Sequence, residues 1–164
     1  MRKYLVAIGF VLLINYAGIA QTIKGNYAIK NVQTGQLLRV KDASNKNGTP
    51  LVAYDPQNWK CMTWNFINVE GNNYQLKNLL TGKTFQPKQA DIALEEQPLA
   101  SGNNKQQYEF EPTGKDTYLI KLKGTELYLT PEDKEGKSNS AIILAKKSNT
   151  KDQQWTIYAQ SPTM

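Results

Sequence analysis

Apolar and polar side chains alternate in three short runs that open on tyrosine: Tyr27-x-Ile29, Tyr74-x-Leu76 and Tyr118-x-Ile120-x-Leu122. Side chains two residues apart on an extended chain share a face, so each run predicts a strand with one buried side. Turns at Thr34-Gly35, Thr81-Gly82 and Gly124 follow, and the apolar positions resume at Leu38 and Val40, at Phe85, and at Leu127 and Leu129. These predict a second strand in each run. Leu51 to Tyr54, and Ile142 with Leu144, predict a third. Between Pro87 and Asn104 the signal is weaker, because proline limits central pairing; the third strand of the middle run is expected at Ile92 to Leu94 or at Pro98 to Ala100. An aromatic, a polar and an apolar residue then close each run: Trp64-Asn65-Phe66, Tyr108-Glu109-Phe110 and Trp155-Thr156-Ile157. No window carries a helical period with caps.

The closing aromatics are 44 and 47 residues apart, and the opening tyrosines 47 and 44. Self-similarity at such a period marks a repeat architecture, here with units near residues 26–69, 73–112 and 117–158. A unit of about 45 residues cannot bury its apolar face alone, so the three are expected to share one core. Four strands per unit give about twelve in all, and the class is all-β. Three units closing on a pseudo-threefold axis predict a β-trefoil, with Trp64, Tyr108 and Trp155 in equivalent core positions. A propeller would need at least four blades.

The first twenty residues stand outside this pattern. Arg2 and Lys3, the apolar run Leu5 to Ile14 and the small residues around Gly18-Ile19-Ala20 read as an export signal, with a retained N-terminal anchor as the alternative. Cleavage would leave a single domain over residues 21–164, secreted or periplasmic, with no later run long enough to span a membrane. No cysteine follows the cleavage region, which excludes a lipoprotein anchor there. Removing Arg2 and Lys3 lowers the net charge from +6 to +4. The remaining lysines are scattered, so no nucleic-acid footprint is expected. Cys61 is the one cysteine of the chain and cannot form an internal disulfide. It reads as a buried thiol beside Met62, or else as an intermolecular or reactive one.

The order Tyr-x-Ile-x-Asn, Thr-Gly turn, Gly-Thr-Pro loop and terminal Gln-x-Trp resembles the ricin B-type lectin domain, over residues 25–158. Gln153-x-Trp155 keeps the family signature, Gln106-x-Tyr108 keeps it with another aromatic, and Met62-x-Trp64 lacks the glutamine. The resemblance implies a shallow sugar site in each unit. Such a site combines an acid near the second strand, an aromatic ending the third, and an Asn or Asp followed by Gln before the core Trp. The residue types suit the ligand: an aromatic ring stacks on the apolar C–H face of a sugar, and carboxylates and amides bind its hydroxyls.

Each unit departs from that set. Repeat one has Tyr54 as the aromatic, but Arg39 at the acidic position and Cys61-Met62 for the amide pair. Repeat two has Gln86, Lys105-Gln106 and no aromatic. Repeat three has Asp152-Gln153 for the pair, with Tyr128 at the acidic position and Ala145 at the aromatic one. Repeat one also carries Asp42, Asn47 and Trp59 in its loops. Trp59 lies outside the alternation and reads as a stacking platform or as a cover over the core. For Asp152-Gln153 the other reading is a turn that bonds its own backbone.

The expected partner is a glycan or polysaccharide, bound without chemical change; the alternative is a protein partner held by the loops. The chain contains no histidine, which removes Ser-His, Cys-His and His-ligated zinc chemistry. Asp91, Glu95 and Glu96 read as solvated charge, since adjacent glutamates on an extended segment face opposite ways. Asp133 to Gly136 offers too few oxygen ligands for calcium, and no cofactor is implied.

Overall fold

The computed structural model describes residues 21–89 and 92–163; the expected export signal and Asp91 lie outside the described residues. Twelve strands follow in chain order: β1 (Gly25–Asn31), β2 (Leu37–Val40), β3 (Leu51–Tyr54), β4 (Trp64–Glu70), β5 (Asn73–Asn78), β6 (Thr84–Pro87), β7 (Leu94–Gln97), β8 (Tyr108–Gly114), β9 (Thr117–Leu122), β10 (Leu127–Pro131), β11 (Ser140–Lys146) and β12 (Gln154–Ala159). The helical turns among the described residues are single turns of 3-10 helix. Three of them, Lys60–Met62, Asn104–Gln106 and Lys151–Gln153, lead into the closing strands.

Six strands form a closed barrel. β1 pairs with β12 and β4, β4 with β5, β5 with β8, β8 with β9, and β9 with β12, all antiparallel. Closure leaves no free edge in this layer. The remaining strands form three hairpins, β2–β3, β6–β7 and β10–β11. The hairpins also touch one another, through β3 and β11 at Ala53–Ser140 and through the bridges Pro50–Glu95 and Ala93–Ile143. This is the expected β-trefoil, with one hairpin per repeat capping the barrel.

The alternation in the sequence decides what is inside. Leu38 and Val40 enter the main core with Trp64, Phe85, Tyr108, Leu129 and Trp155, whereas Leu37 faces the other way, into a small cluster with Ala28, Cys61 and Met62. Cys61 is accordingly a buried free thiol. The three closing aromatics are fully buried and bind barrel to cap. Trp64 Nε1 donates to the Leu38 carbonyl at 3.1 Å, Trp155 Nε1 to Leu129 at 3.0 Å, and the Tyr108 hydroxyl to Phe85 at 3.0 Å. The opposite end is filled by edge-to-face rings: Phe66 against Tyr27, Tyr74 and Phe110, and Phe110 against Tyr118. Ile23, whose amide donates to the Tyr74 hydroxyl at 3.0 Å, lies over them.

Three expectations need correction. The third strand of repeat two is Leu94–Gln97, so it begins where one expected position ends and stops before Pro98. Gly124 marks its turn, as expected, but not at the place that Gly35 and Gly82 hold in theirs. Those two adopt positive φ and donate to the carbonyls of Asn31 and Asn78, whose side chains accept from the turn amides. Leu122 replaces the asparagine in repeat three, and Gly124 takes its positive φ two places earlier in the turn.

Glu96 is the third. It is not solvated: it pairs with Phe85 across its hairpin, at the place where repeats one and three put Ala53 and Leu144, and is fully buried. The Thr81 hydroxyl donates to its Oε1, while Oε2 has no hydrogen-bond partner among the described residues. Glu95, on the other face, is half-buried and accepts from Gln97.

Burial raises the Glu96 carboxyl above the usual range, against the lowering effects of Thr81 and of the Lys83 charge. An acid whose pKa rises on folding holds its proton more tightly in the folded state. Stability therefore falls as pH rises from about 4 towards neutrality. Glu96→Gln keeps the shape and removes the charge. Urea unfolding should show the variant more stable than wild type by roughly 1 kcal/mol at pH 7, with the gain gone at pH 4.

Candidate functional site

Repeat one gathers its aromatic residues where β2, β3 and the loop after β3 meet. Tyr54 ends β3 and Trp59 precedes the Lys60–Met62 turn; both are half-buried, with ring centroids 6.2 Å apart and planes inclined by 32°. Both rest on the small cluster of Ala28, Leu37, Cys61 and Met62. Trp59 is thus partly a cover over apolar side chains and partly an open face, which combines the two readings of the sequence. Arg39 projects from β2 alongside the pair, its guanidinium carbon 4.1 Å from the Tyr54 ring centre and 5.8 Å from that of Trp59.

The loop that carries Trp59 is fixed from the far end of the chain. The Thr63 hydroxyl donates to Gln160 Oε1 at 2.7 Å, Gln160 Nε2 donates to the Gln57 carbonyl at 2.9 Å, and Thr63 Oγ1 also lies 2.9 Å from the Trp59 carbonyl. In the other repeats a glutamine from the closing turn does this work. Gln106 Nε2 donates to Gln86 and to the Pro98 carbonyl, and its oxygen accepts from the Ala100 amide. Gln153 Nε2 donates to Thr130 and to the Lys146 carbonyl, and its oxygen accepts from the Ser148 amide. Met62 cannot make these bonds, and Gln160 replaces it.

Asp42 and Asn47 are exposed and lie in the loop that joins β2 to β3, at the opposite end of the hairpin from Tyr54. Asp42 has a positive φ in the one-turn helix Lys41–Ala43, and the loop after it runs to β7, where Gly48 donates to Glu96 and Glu96 to Thr49. Among the described residues no hydrogen bond or ion pair joins Asp42 or Asn47 to Tyr54 or Trp59.

In repeat three the expected residues are enclosed. Tyr128 is buried, its hydroxyl 3.4 Å from both carboxylate oxygens of Glu111. The barrel-to-cap bonds align Leu38, Phe85 and Leu129, so the counterpart of Arg39 and Gln86 is Thr130, and Tyr128 belongs two places earlier, with Leu37 and Thr84. Gln153 has its oxygen and its amide nitrogen engaged inside the protein. Asp152 is buried too, with its Oδ1 accepting from the Thr150 hydroxyl and its Oδ2 3.0 Å from Lys134 Nζ. Ala145, opposite Tyr128 across the hairpin, provides no ring for stacking.

The sequence pattern did not bring out the cap contacts from other repeats. Asn139, in the loop before β11, accepts from Arg39 Nη1 at 3.4 Å and donates its amide to the Ala53 carbonyl. It lies one hundred residues from Arg39. Its positive φ is the local trace of the turn that delivers it, and asparagine tolerates that region. Among the described residues no group of three or more Cys, Asp or Glu side chains is placed to hold a metal ion.

A six-stranded barrel capped by three hairpins, each repeat locked by an aromatic-to-carbonyl bond, defines a β-trefoil. The chain belongs to the ricin-type beta-trefoil lectin domain-like family, whose pattern matches residues 19–95 and 55–146. Among solved structures it is similar to the designed threefold-symmetric protein ThreeFoil, with TM-score 0.75 and 19% identity over 80% of this chain and 96% of that one. It is similar to the C-terminal half of an earthworm R-type lectin in complex with GalNAc, with TM-score 0.68 and 14% identity over 84% of this chain and 100% of that one. It is also similar to a ricin B-like lectin of Macrolepiota procera in complex with lactose, with TM-score 0.67 and 18% identity over 85% and 98%. No curated protein matches the chain in sequence. At these identities the structural likeness establishes the fold.

Burial pushes the Asp152 carboxyl up, but the Thr150 hydroxyl and the Lys134 ammonium pull it down further, and it ends below the usual value. A depressed carboxylate stabilises the fold above its unfolded pKa of about 4, and that contribution is lost as pH falls through the folded value. Asp152→Asn should therefore cost about 2 kcal/mol at pH 7 and progressively less below pH 4. Chemical denaturation at pH 7 and pH 2.5 checks both parts.

Proposed function

We propose that this protein is an exported carbohydrate-binding module that holds a glycan without altering it, and that its binding face is in repeat one. The observation that carries the reading is the Tyr54–Trp59 pair. Two half-buried rings stand at the end of the third strand, on a loop pinned at both ends, in a fold whose family is lectin-like. Fixed aromatic faces suit the C–H side of a sugar ring, and pre-set side chains lose little entropy on binding. The relatives in complex with GalNAc and lactose support glycans as the ligand class.

The absence of histidine from the chain favours a non-catalytic role, since the commonest hydrolytic constellations need one. Export rests on the signal-like residues 1–20 and leads us to place the protein in the periplasm or the medium. Asp42 and Asn47 are proposed as rim contacts for a longer chain that crosses the hairpin. Asp152 and Gln153 are proposed to support the scaffold of repeat three. A shallow site of this kind binds weakly, so avidity from several sugars on one polymer would supply the working affinity.

The test is a glycan array probed with residues 21–164 and with Trp59→Ala and Asp152→Ala. Binding should be retained in Asp152→Ala and should fall at least about tenfold in Trp59→Ala, the loss of one stacking contact of roughly 1.5 kcal/mol. Loss in Asp152→Ala alone would move the site to repeat three. Silence across neutral, acidic and plant-wall glycans would overturn the reading in favour of a protein partner.

A further inference from the structure

We infer that the repeat-one site takes a sugar carrying a negative charge, a carboxylate or a sulfate, which pairs with Arg39. The inference rests on the proposed carbohydrate site and adds the chemistry of its ligand. Arg39 stands where the other repeats have the neutral residues Gln86 and Thr130. It is only 8% exposed, yet it takes part in no ion pair among the described residues. Among the described residues its Nε is buried without a hydrogen-bond partner, and its one hydrogen bond to a side chain is the long contact with Asn139, a neutral acceptor.

An enclosed guanidinium without a counter-charge is costly unless something supplies one. Asp55, next to Tyr54 in the chain, forms no ion pair with Arg39 among the described residues; it accepts from Gln36 Nε2 at 3.3 Å, and Gln36 also donates to the Gly136 carbonyl. What the protein provides is orientation. The Arg39 guanidinium carbon lies over the Tyr54 ring, 4.1 Å from its centre, and one terminal nitrogen donates to Asn139 at 3.4 Å, so the ring and the amide restrict where the group can point. A planar fork fixed in this way matches a carboxylate or a sulfate, which accept two parallel N–H bonds. Trp59, beside Tyr54 and 5.8 Å from the same guanidinium carbon, gives a wall for the ring that carries the charge. The positive residue and the stacking residue thus converge on one ligand.

The experiment measures affinity by isothermal titration for two pairs of small probes, methyl glucuronide against methyl glucoside and galactose 6-sulfate against galactose, at several salt concentrations. Small singly charged probes limit attraction to the net positive surface. Wild type should prefer at least one anionic member about tenfold or more, and the pair that shows the preference tells carboxylate from sulfate. Arg39→Met should bring that ratio close to one, and Arg39→Lys, which keeps the charge but loses the fork, should recover only a minor part of it. Thermal melts confirm that each variant is folded; if Arg39→Met is not, Arg39→Lys decides alone. Equal binding of charged and neutral members by wild type, or a preference that survives in Arg39→Lys, overturns the inference while leaving the lectin reading intact. Failure of every probe and every arrayed glycan overturns both.

Discussion

The bond between a buried aromatic and a backbone carbonyl of the cap is the contact on which the fold depends. A hairpin of strands four to seven residues long has too little apolar surface to be stable by itself. Trp64, Tyr108 and Trp155 each belong to a barrel strand, fill the centre of the core, and place their polar atom on a carbonyl of β2, β6 or β10. The polar atom would be costly if left unpaired at that depth, so burial and hydrogen bond require each other. Barrel and cap are thereby one cooperative body. Loss of any of the three would open a cavity and free a buried carbonyl together.

This coupling explains what could be read from the sequence. The three aromatics, the Tyr-x-apolar openings and the second-strand positions Leu38, Phe85 and Leu129 are held by the common core, and so they keep their period. They were enough for the fold class and the repeat number. The third strand of repeat two was less legible because its inward position is Glu96, a residue that hydropathy assigns to solvent. Thr81 makes that placement tolerable, and nothing local to Glu96 announces it. Tyr128 was misplaced by two residues for a related reason. A shift of two keeps a side chain on the same face of a strand, so alternation alone cannot detect it.

The site was legible in part, and unevenly. Tyr54 and Trp59 stood out as aromatics at a strand end and in a polar loop. Their support did not, because it comes from Thr63, from Gln160 near the end of the chain and from Asn139 in repeat three. Repeats that meet around an axis build each cap site from two neighbours, and a unit-by-unit alignment sees only one of them. Asp152 and Gln153 show the reverse case. As a pair they matched the expected sugar ligands best, yet the chain folds them inward, where they tie the closing turn to β10, to the β11 end and to Lys134.

A symmetric scaffold with unequal chemistry is the outcome of these constraints. The closing glutamine is retained in two repeats because it satisfies backbone groups of the loop after the third strand, at Pro98 and Ala100 and at Lys146 and Ser148. Repeat one has Met62 there and lends that task to Gln160, which leaves its loop free to run past Pro56 and to bring Trp59 back against Tyr54. The same change puts Cys61 and Met62 beneath the two rings as an apolar floor. A thiol and a thioether pack against the rings by apolar contact, where the amides of the other repeats bond the loop backbone instead. The divergence that removes the expected amide pair from repeat one therefore also supplies the apolar side chains on which its two half-buried rings rest, so the loss of one set of contacts and the gain of the other belong to a single change.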